Sequence, residues 1–366
     1  MKIAIILALE LFVQTASAIS APSISSNALF LFRDSNFHSR DADPANVDTE
    51  PNGLSVREAE LQFYADVDPY TQLNLVLAIH PQISSNGTEI DEKWVIEPEE
   101  AFVDSISIQA VTLRAGKFKA IMGKHNTLHT HAFPFIKGPL ANEFLLGDEG
   151  LNDFGVSASW LLELPWFSEL TVQYLRGKGE NTEFRSPRPN DGVALVHYKN
   201  LIDLNDDLTL ELGLSHAQGK NSYREMTQLN GGDLTFKWRP ADGGKYYSFL
   251  WATEYLLRTQ GQTSLVDEKG FGIASWLQYQ FAERWMALYR YDNIKFQNSY
   301  QATAVPNGMT SRNSFALAFN ASDFSTIKIE FDQKIGLLAN ANGQTTENSI
   351  YVQANFLIGS HPSHKY

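Results

Sequence analysis

The sequence contains no cysteine in 366 residues. Disulfide stapling, thiolate metal centres and thiol nucleophiles are therefore excluded, and a chain of this length must draw its stability from extensive pairing or burial. Positive charge is scarce. Lys and Arg number 29 against 42 Asp and Glu, a net charge of −13, which argues against nucleic acid as a partner. After the extreme N-terminus no apolar run reaches the about 20 residues that a membrane-spanning helix needs. A His-Glu-x-x-His pair, a Gly-x-Ser-x-Gly elbow and the EF-hand spacing are also missing, so the corresponding metalloprotease, hydrolase and calcium chemistries have no support.

What is present begins with Met1-Lys2, a short apolar run broken by Glu10, and "TASA" with small residues at Ala16 and Ala18. That pattern predicts a cleaved export signal over 1–18 and a single mature domain over 19–366. From Leu54 onward apolar residues recur at every second position in short runs bounded by Gly, Asn, Asp and Pro, which is the strand period. Ala59, Leu61, Phe63, Ala65 and Val67 share one face, with Glu58, Glu60, Gln62, Tyr64 and Asp66 on the other. Ile350, Val352, Ala354, Phe356 and Ile358 oppose Tyr351, Gln353 and Asn355 in the same way.

This reading predicts sixteen strands, near 25–33, 55–67, 70–80, 99–105, 111–121, 154–162, 168–176, 192–200, 207–217, 232–239, 246–258, 270–281, 284–293, 312–320, 325–335 and 348–359. Long polar connections alternate with short ones such as "VDPY" and "ELPWFS". An even strand count with that loop order is the signature of a transmembrane antiparallel β-barrel of the bacterial outer membrane. Aromatic residues at strand ends, Trp160 and Trp166, Trp238 and Tyr246, Phe281 and Trp285, suit the interfacial girdles of such a barrel. A soluble all-β domain is the competing architecture.

At sixteen strands the lumen of a barrel stays wet. The faces expected to point inward carry Glu58, Glu60, Gln72, Asn74, Arg114, Gln173, Glu211, Lys237, Glu254, Arg290, Lys328, Glu330 and Gln353, mixed in sign and inexpensive only beside water. The expected function is passive diffusion of small hydrophilic solutes or ions. Divalent-metal (zinc) binding or uptake, and a structural or adhesion barrel, are the alternatives. An enzyme is not expected, since the adjacent Ser215 and His216 alternate to opposite faces of a strand.

The runs "REAELQFYADVDPYTQLNLVLAI", "IEPEEAFVDSI" and "VTLRAGKFKAIMGKHN" resemble the N-terminal half of porins related to the phosphate-selective porin O and P family. The continuation "HTHAFPFIKGPLANEFLLGDEGLNDFGVSASWL" is similar to a group of outer-membrane proteins labelled zinc-regulated. The resemblance implies a channel for small solutes whose third external loop, here 122–153, folds inward and narrows the pore. Porins of this size often form homotrimers. The lysine-rich constriction linked to phosphate selectivity is not evident, since Lys117, Lys119, Lys124 and Lys137 are scattered.

That third loop contains "GKHNTLHTHAFPFIKGPL", with His125, His129 and His131 within seven positions. Pro134 and Pro139 stiffen it and Phe133, Phe135 and Leu140 can pack it against a wall. The constriction is expected to involve Arg114, Lys124, His125, His129, His131, Lys137, Glu58, Glu60, Arg290 and Lys328. Pore-lining histidines would titrate near 6.5 and shift selectivity. No cofactor is expected on this reading. The alternative is zinc on His125, His129 and His131, with Asp148 or Glu149 closing the set. Two further candidates are weaker: the acidic loops 33–50 and 89–100, and the pair His361 and His364 after the last strand.

Overall fold

A computed structural model of the chain describes residues 21–37, 52–85, 90–147, 149–179, 181, 183–263, 265–298, 308–336 and 343–359. The expected signal segment 1–18, Asp148, His361, His364 and most of the 33–50 loop lie outside the described residues.

Sixteen antiparallel strands close into one barrel. They are β1 Ser23–Ser35, β2 Gly53–Asp68, β3 Thr71–Ser85, β4 Ile90–Ser105, β5 Val111–Lys119, β6 Asn152–Leu161, β7 Phe167–Leu175 and β8 Val193–Asn205. The second half comprises β9 Leu208–Lys220, β10 Met226–Trp238, β11 Ser248–Gln260, β12 Glu268–Ala282, β13 Trp285–Gln297, β14 Met309–Ser322, β15 Ser325–Ile335 and β16 Thr346–Ile358. Each strand pairs with its sequence neighbours, and β1 closes on β16 from Ser26 opposite Ile358 to Ser35 opposite Ser349. Closure leaves no unpaired edge, the condition for crossing a bilayer with strands.

The alternation reads inside out. Ile24, Phe30 and Phe32 of β1 and Ile350, Phe356 and Ile358 of β16 are exposed, while Ser25, Asn27, Arg33, Tyr351 and Gln353 are buried within the lumen. An apolar exterior around a polar interior is stable only where lipid replaces water outside, since a mid-membrane Lys or Arg on the lipid face costs about 2–4 kcal/mol. Trp160, Trp166, Trp238, Tyr246, Phe281 and Trp285 are all outward and exposed near the short turns, a girdle at one rim.

Strand boundaries depart furthest from expectation at two places. The stretch 81–98, expected as a long loop, is mostly hairpin: β3 and β4 stay in register from His80 opposite Val95 to Ser85 opposite Ile90. The acidic stretch 89–100 is therefore strand rather than loop from Ile90 onward. Likewise β10 begins at Met226, not 232. Where strands project beyond the lipid, neither face needs apolar side chains, so the period fades while the backbone ladder continues.

Within the barrel lies the connection 120–151 between β5 and β6. It contains two short turns, His125–Thr127 and Thr130–Ala132, and a helix α1, Leu140–Leu146. Leu140, Ala141, Leu145 and Leu146 of α1 form one buried cluster with Leu229, Leu256 and Ile294 of the wall. Gly270 and Gly272 of β12 make the close approach possible: a Cβ at Gly272 would lie 2.5 Å from Ala141 Cβ, and one at Gly270 2.7 Å from Leu145 Cδ2.

Candidate functional site

The connection 120–151 is tied at its neck and clamped along its length. At the neck the Asn126 amide donates to the carbonyls of Ala120 (2.8 Å) and Leu151 (3.1 Å), and its oxygen accepts from the Leu151 N–H (2.8 Å). The segment then runs along one wall through its own N–H groups. Gln173 accepts from Ile121 (2.9 Å), Ser215 Oγ from Gly123 (2.9 Å) and Glu254 from His125 (3.0 Å). Strands β7, β9 and β11 thus satisfy backbone donors that would otherwise be buried without partners.

On the opposite wall the polarity of the grip reverses, and cations hold successive carbonyls. Lys328 donates to Phe133 O (2.8 Å), Arg57 to Ile136 O, Arg290 to Lys137 O (2.7 Å) and Arg312 to Gly138 O. Glu330 accepts from the Ile136 N–H at 2.6 Å. Phe135 sits under the Arg290 guanidinium, 4.6 Å from ring centroid to charge, and is packed with Ala252, Trp276 and Leu288. Arg290 and Arg312 are themselves paired with Asp292 at 2.8 and 2.9 Å.

Between the two grips the chain crosses the lumen, and His129 and His131 meet carboxylates there. His129 Nδ1 lies 2.9 Å from Glu99 Oε2 and 3.4 Å from Glu60 Oε1, while its Nε2 lies 3.1 Å from Glu100 Oε2. His131 Nδ1 is 2.7 Å from Glu60 Oε2, and Lys119 Nζ is 2.8 Å from Glu99 Oε1. The two imidazoles stack at 5.9 Å with an interplanar angle of 18°. Burial alone would lower the pKa of His129, but the charges of Glu99 and Glu60 and the hydrogen bond to Glu100 hold it well above the usual histidine range. Both ring nitrogens then donate, as an imidazolium requires.

Two strand irregularities supply this site. Across β3 and β4, Val76 faces Glu100 and Leu77 faces Pro98, so Glu99 is an extra residue and both Glu99 and Glu100 turn inward, where both are buried. Pro98, which cannot donate to a ladder, belongs at such a bulge. Across β1 and β2, Leu29 faces Glu58 and Phe30 faces Val56, which leaves Arg57 as the extra residue, and both Arg57 and Glu58 line the lumen.

The residues expected at the constriction do not stay together. His129, His131 and Glu60 come together. His125 does not join them: its ring packs on Phe133, with centroids 4.3 Å apart, and burial together with Arg290 and Lys119 lowers its pKa to about 3. Neither His125 nor His129 therefore changes charge near 6.5, contrary to the sequence expectation. Arg290 and Lys328 grip the loop. Arg114 is engaged twice by Asp104, at 2.8 Å each, and covers Phe102, while Lys124 pairs with Glu211 at 2.9 Å. Glu58 and Lys137 line the cavity on the long-loop side. Sequence reasoning did not place Arg57, Glu99, Glu100, Lys119 or Arg312 at the constriction, although 89–100 stood as a separate acidic candidate. A proline inside an acidic strand was the available signal for the bulge.

The loop leaves one cavity toward the long connections, of about 620 Å³, bordered by Arg33, Lys137, Lys334 and Glu347. Another of about 690 Å³ opens toward the short turns, bordered by Gln72, Asp104, Arg114 and Lys199. Lys119 and Leu128 line both, so the crossing at the histidines separates them.

No family model matches the chain. An uncharacterized protein of Aquifex aeolicus is 27% identical over 352 residues, covering 87% of this chain and 71% of that one. Among solved structures, the outer-membrane channel DcaP of Acinetobacter baumannii superposes with a TM-score of 0.56 at 10% identity, over 92% of this chain and 96% of that one. An anion-selective porin from Comamonas acidovorans gives 0.55 at 11%, over 93% and 99%. The trimer form of OmpT of Vibrio cholerae gives 0.56 at 9%, over 92% and 99%. With a closed sixteen-stranded wall, an apolar exterior and this likeness, the chain has the fold of the outer-membrane porins.

Proposed function

We propose that the chain is a porin-like channel of the bacterial outer membrane, exported through a cleaved signal, that lets small hydrophilic solutes or ions diffuse past the clamped connection 120–151. The observation that carries this reading is a pair of polar, mixed-charge cavities on either side of one loop inside a closed barrel. The trimer form of the Vibrio cholerae structure supports a homotrimer. The mature protein should fractionate with the outer membrane, migrate faster unheated than boiled, and give ion-permeable steps in planar bilayers. Verified insertion without any steps would favour a structural barrel and overturn the channel.

One pH dependence is specific to this lumen. Burial lowers Lys137 to about 8, with Lys334, Arg312 and Arg33 adding to that and Glu143 opposing it. Burial would raise Glu143, but Arg312, Lys334, Lys137 and Arg290 pull it down to about 2. Raising pH from 7 through about 8 therefore removes a positive charge from the long-loop cavity while Glu143 stays ionised. Reversal potentials should move toward cation selectivity over that range, and Lys137→Gln should flatten the profile. An unchanged profile in Lys137→Gln would show that another group titrates.

A further inference from the structure

With neutral imidazoles, the cluster at the crossing holds three carboxylates, Glu60, Glu99 and Glu100, against the single ammonium of Lys119. All are buried: Glu60 is 3% exposed, Glu99 5%, Glu100 8% and Lys119 8%. Buried charge has to be paired or to coordinate a metal. The deficit is two positive charges, which two imidazolium protons or one divalent cation would supply. A second observation points to the cation. Both carboxylate oxygens of Glu60 are buried and face imidazole nitrogens, Oε2 2.7 Å from His131 Nδ1 and Oε1 3.4 Å from His129 Nδ1, yet neither meets its partner in hydrogen-bonding alignment.

One ligand atom each from Glu60, Glu99 and His129 lies within 4.8 Å of the other two. Lys119 holds Glu99 through Oε1 at 2.8 Å, which leaves Oε2 facing His129, the arrangement by which an outer partner orients a ligating carboxylate. Glu100 and His131 stand next to this trio and could complete a shell.

We infer that Glu60, Glu99 and His129 form a site for one divalent transition cation of the zinc type at the lumen crossing. Imidazole with carboxylates suits such an ion, whereas calcium and magnesium favour shells of oxygen alone. The composition differs from a three-histidine site, because His125 is turned onto Phe133. The site stands whether or not the barrel conducts, so silent bilayers would sink the channel and leave it untouched.

The test is calorimetric titration of the mature protein in detergent with zinc chloride, and with calcium chloride in parallel. One zinc per chain should bind saturably and calcium should not. Glu60→Gln, Glu99→Gln and His129→Gln should each weaken zinc by about tenfold or more, and His125→Gln should leave it unchanged. Heat-modifiable mobility checks that each variant is a folded barrel. For any that is not, X-ray absorption on the zinc-loaded wild type takes its place, with a mixed imidazole and carboxylate shell expected. No saturable zinc binding, affinity that survives all three variants, loss in His125→Gln, or a shell of histidines alone would each overturn the assignment, the first leaving an imidazolium ion-pair network only.

Discussion

Deleting residues 127–137 should raise single-channel conductance several-fold while the barrel itself stays folded. The deleted stretch contains the whole lumen crossing and three of the four carbonyls held by Lys328, Arg57 and Arg290, yet none of the sixteen strands. It also spares Asn126, which ties the neck to Ala120 and Leu151, and α1, which packs on the wall through Leu140 and Leu145. The two cavities would then join. The measurement is step size in planar bilayers, with heat-modifiable mobility to verify the barrel. Unchanged steps would mean that solute passes by a route the crossing does not narrow.

Arg290→Ala is expected to free the segment 133–138 from its wall. The guanidinium is 2% exposed, donates to the Lys137 carbonyl, covers the Phe135 ring and pairs with Asp292. Removing one partner of a buried pair leaves the other charge and a carbonyl unsatisfied, a loss of about 3–5 kcal/mol by precedent. Arg312 remains beside Asp292 at 2.9 Å, which places the expected loss at the lower end, about 3 kcal/mol. The variant should become sensitive to trypsin after Lys137, which is gripped in the wild type, and should conduct with greater noise. Arg290→Ala combined with Asp292→Asn should recover part of the loss, since no unpaired carboxylate is then left behind. Resistance to trypsin equal to wild type in the single variant would show that the remaining three cations suffice.

The architecture was legible because a barrel repeats one simple rule. Along β16, Ile350 to Ile358 alternate with Tyr351 and Gln353, and the short turns announce themselves by Pro, Gly and Asp. The rule stops at places where the chain departs from strict period two. At Glu99 and Arg57 a single extra residue turns two consecutive side chains to the same face, and a pattern with period two assigns one of them to lipid. Arg57 and Glu99 were lost for that reason, whereas Glu58 and Glu60, on the regular part of β2, were not. The histidines were conspicuous in sequence, but their separation was not. His125 and His129 are four residues apart, and only the turn between them, with one N–H held by Glu254, sends the first onto Phe133 and the second across to the carboxylates.

The peptide unit at Ile136 has a consequence for assembly. Its N–H is held by Glu330 on β15 and its carbonyl by Arg57 on β2, strands that flank the β1–β16 seam where the two ends of the chain meet. Both anchors can be held at once only when that seam has closed, so full docking of the loop cannot precede the closed barrel. Contacts of such long sequence separation form late, after the entropy of closing the intervening chain has been met. Completion of the plug is thereby tied to completion of the wall, and the docked loop acts as a latch across the seam against its reopening.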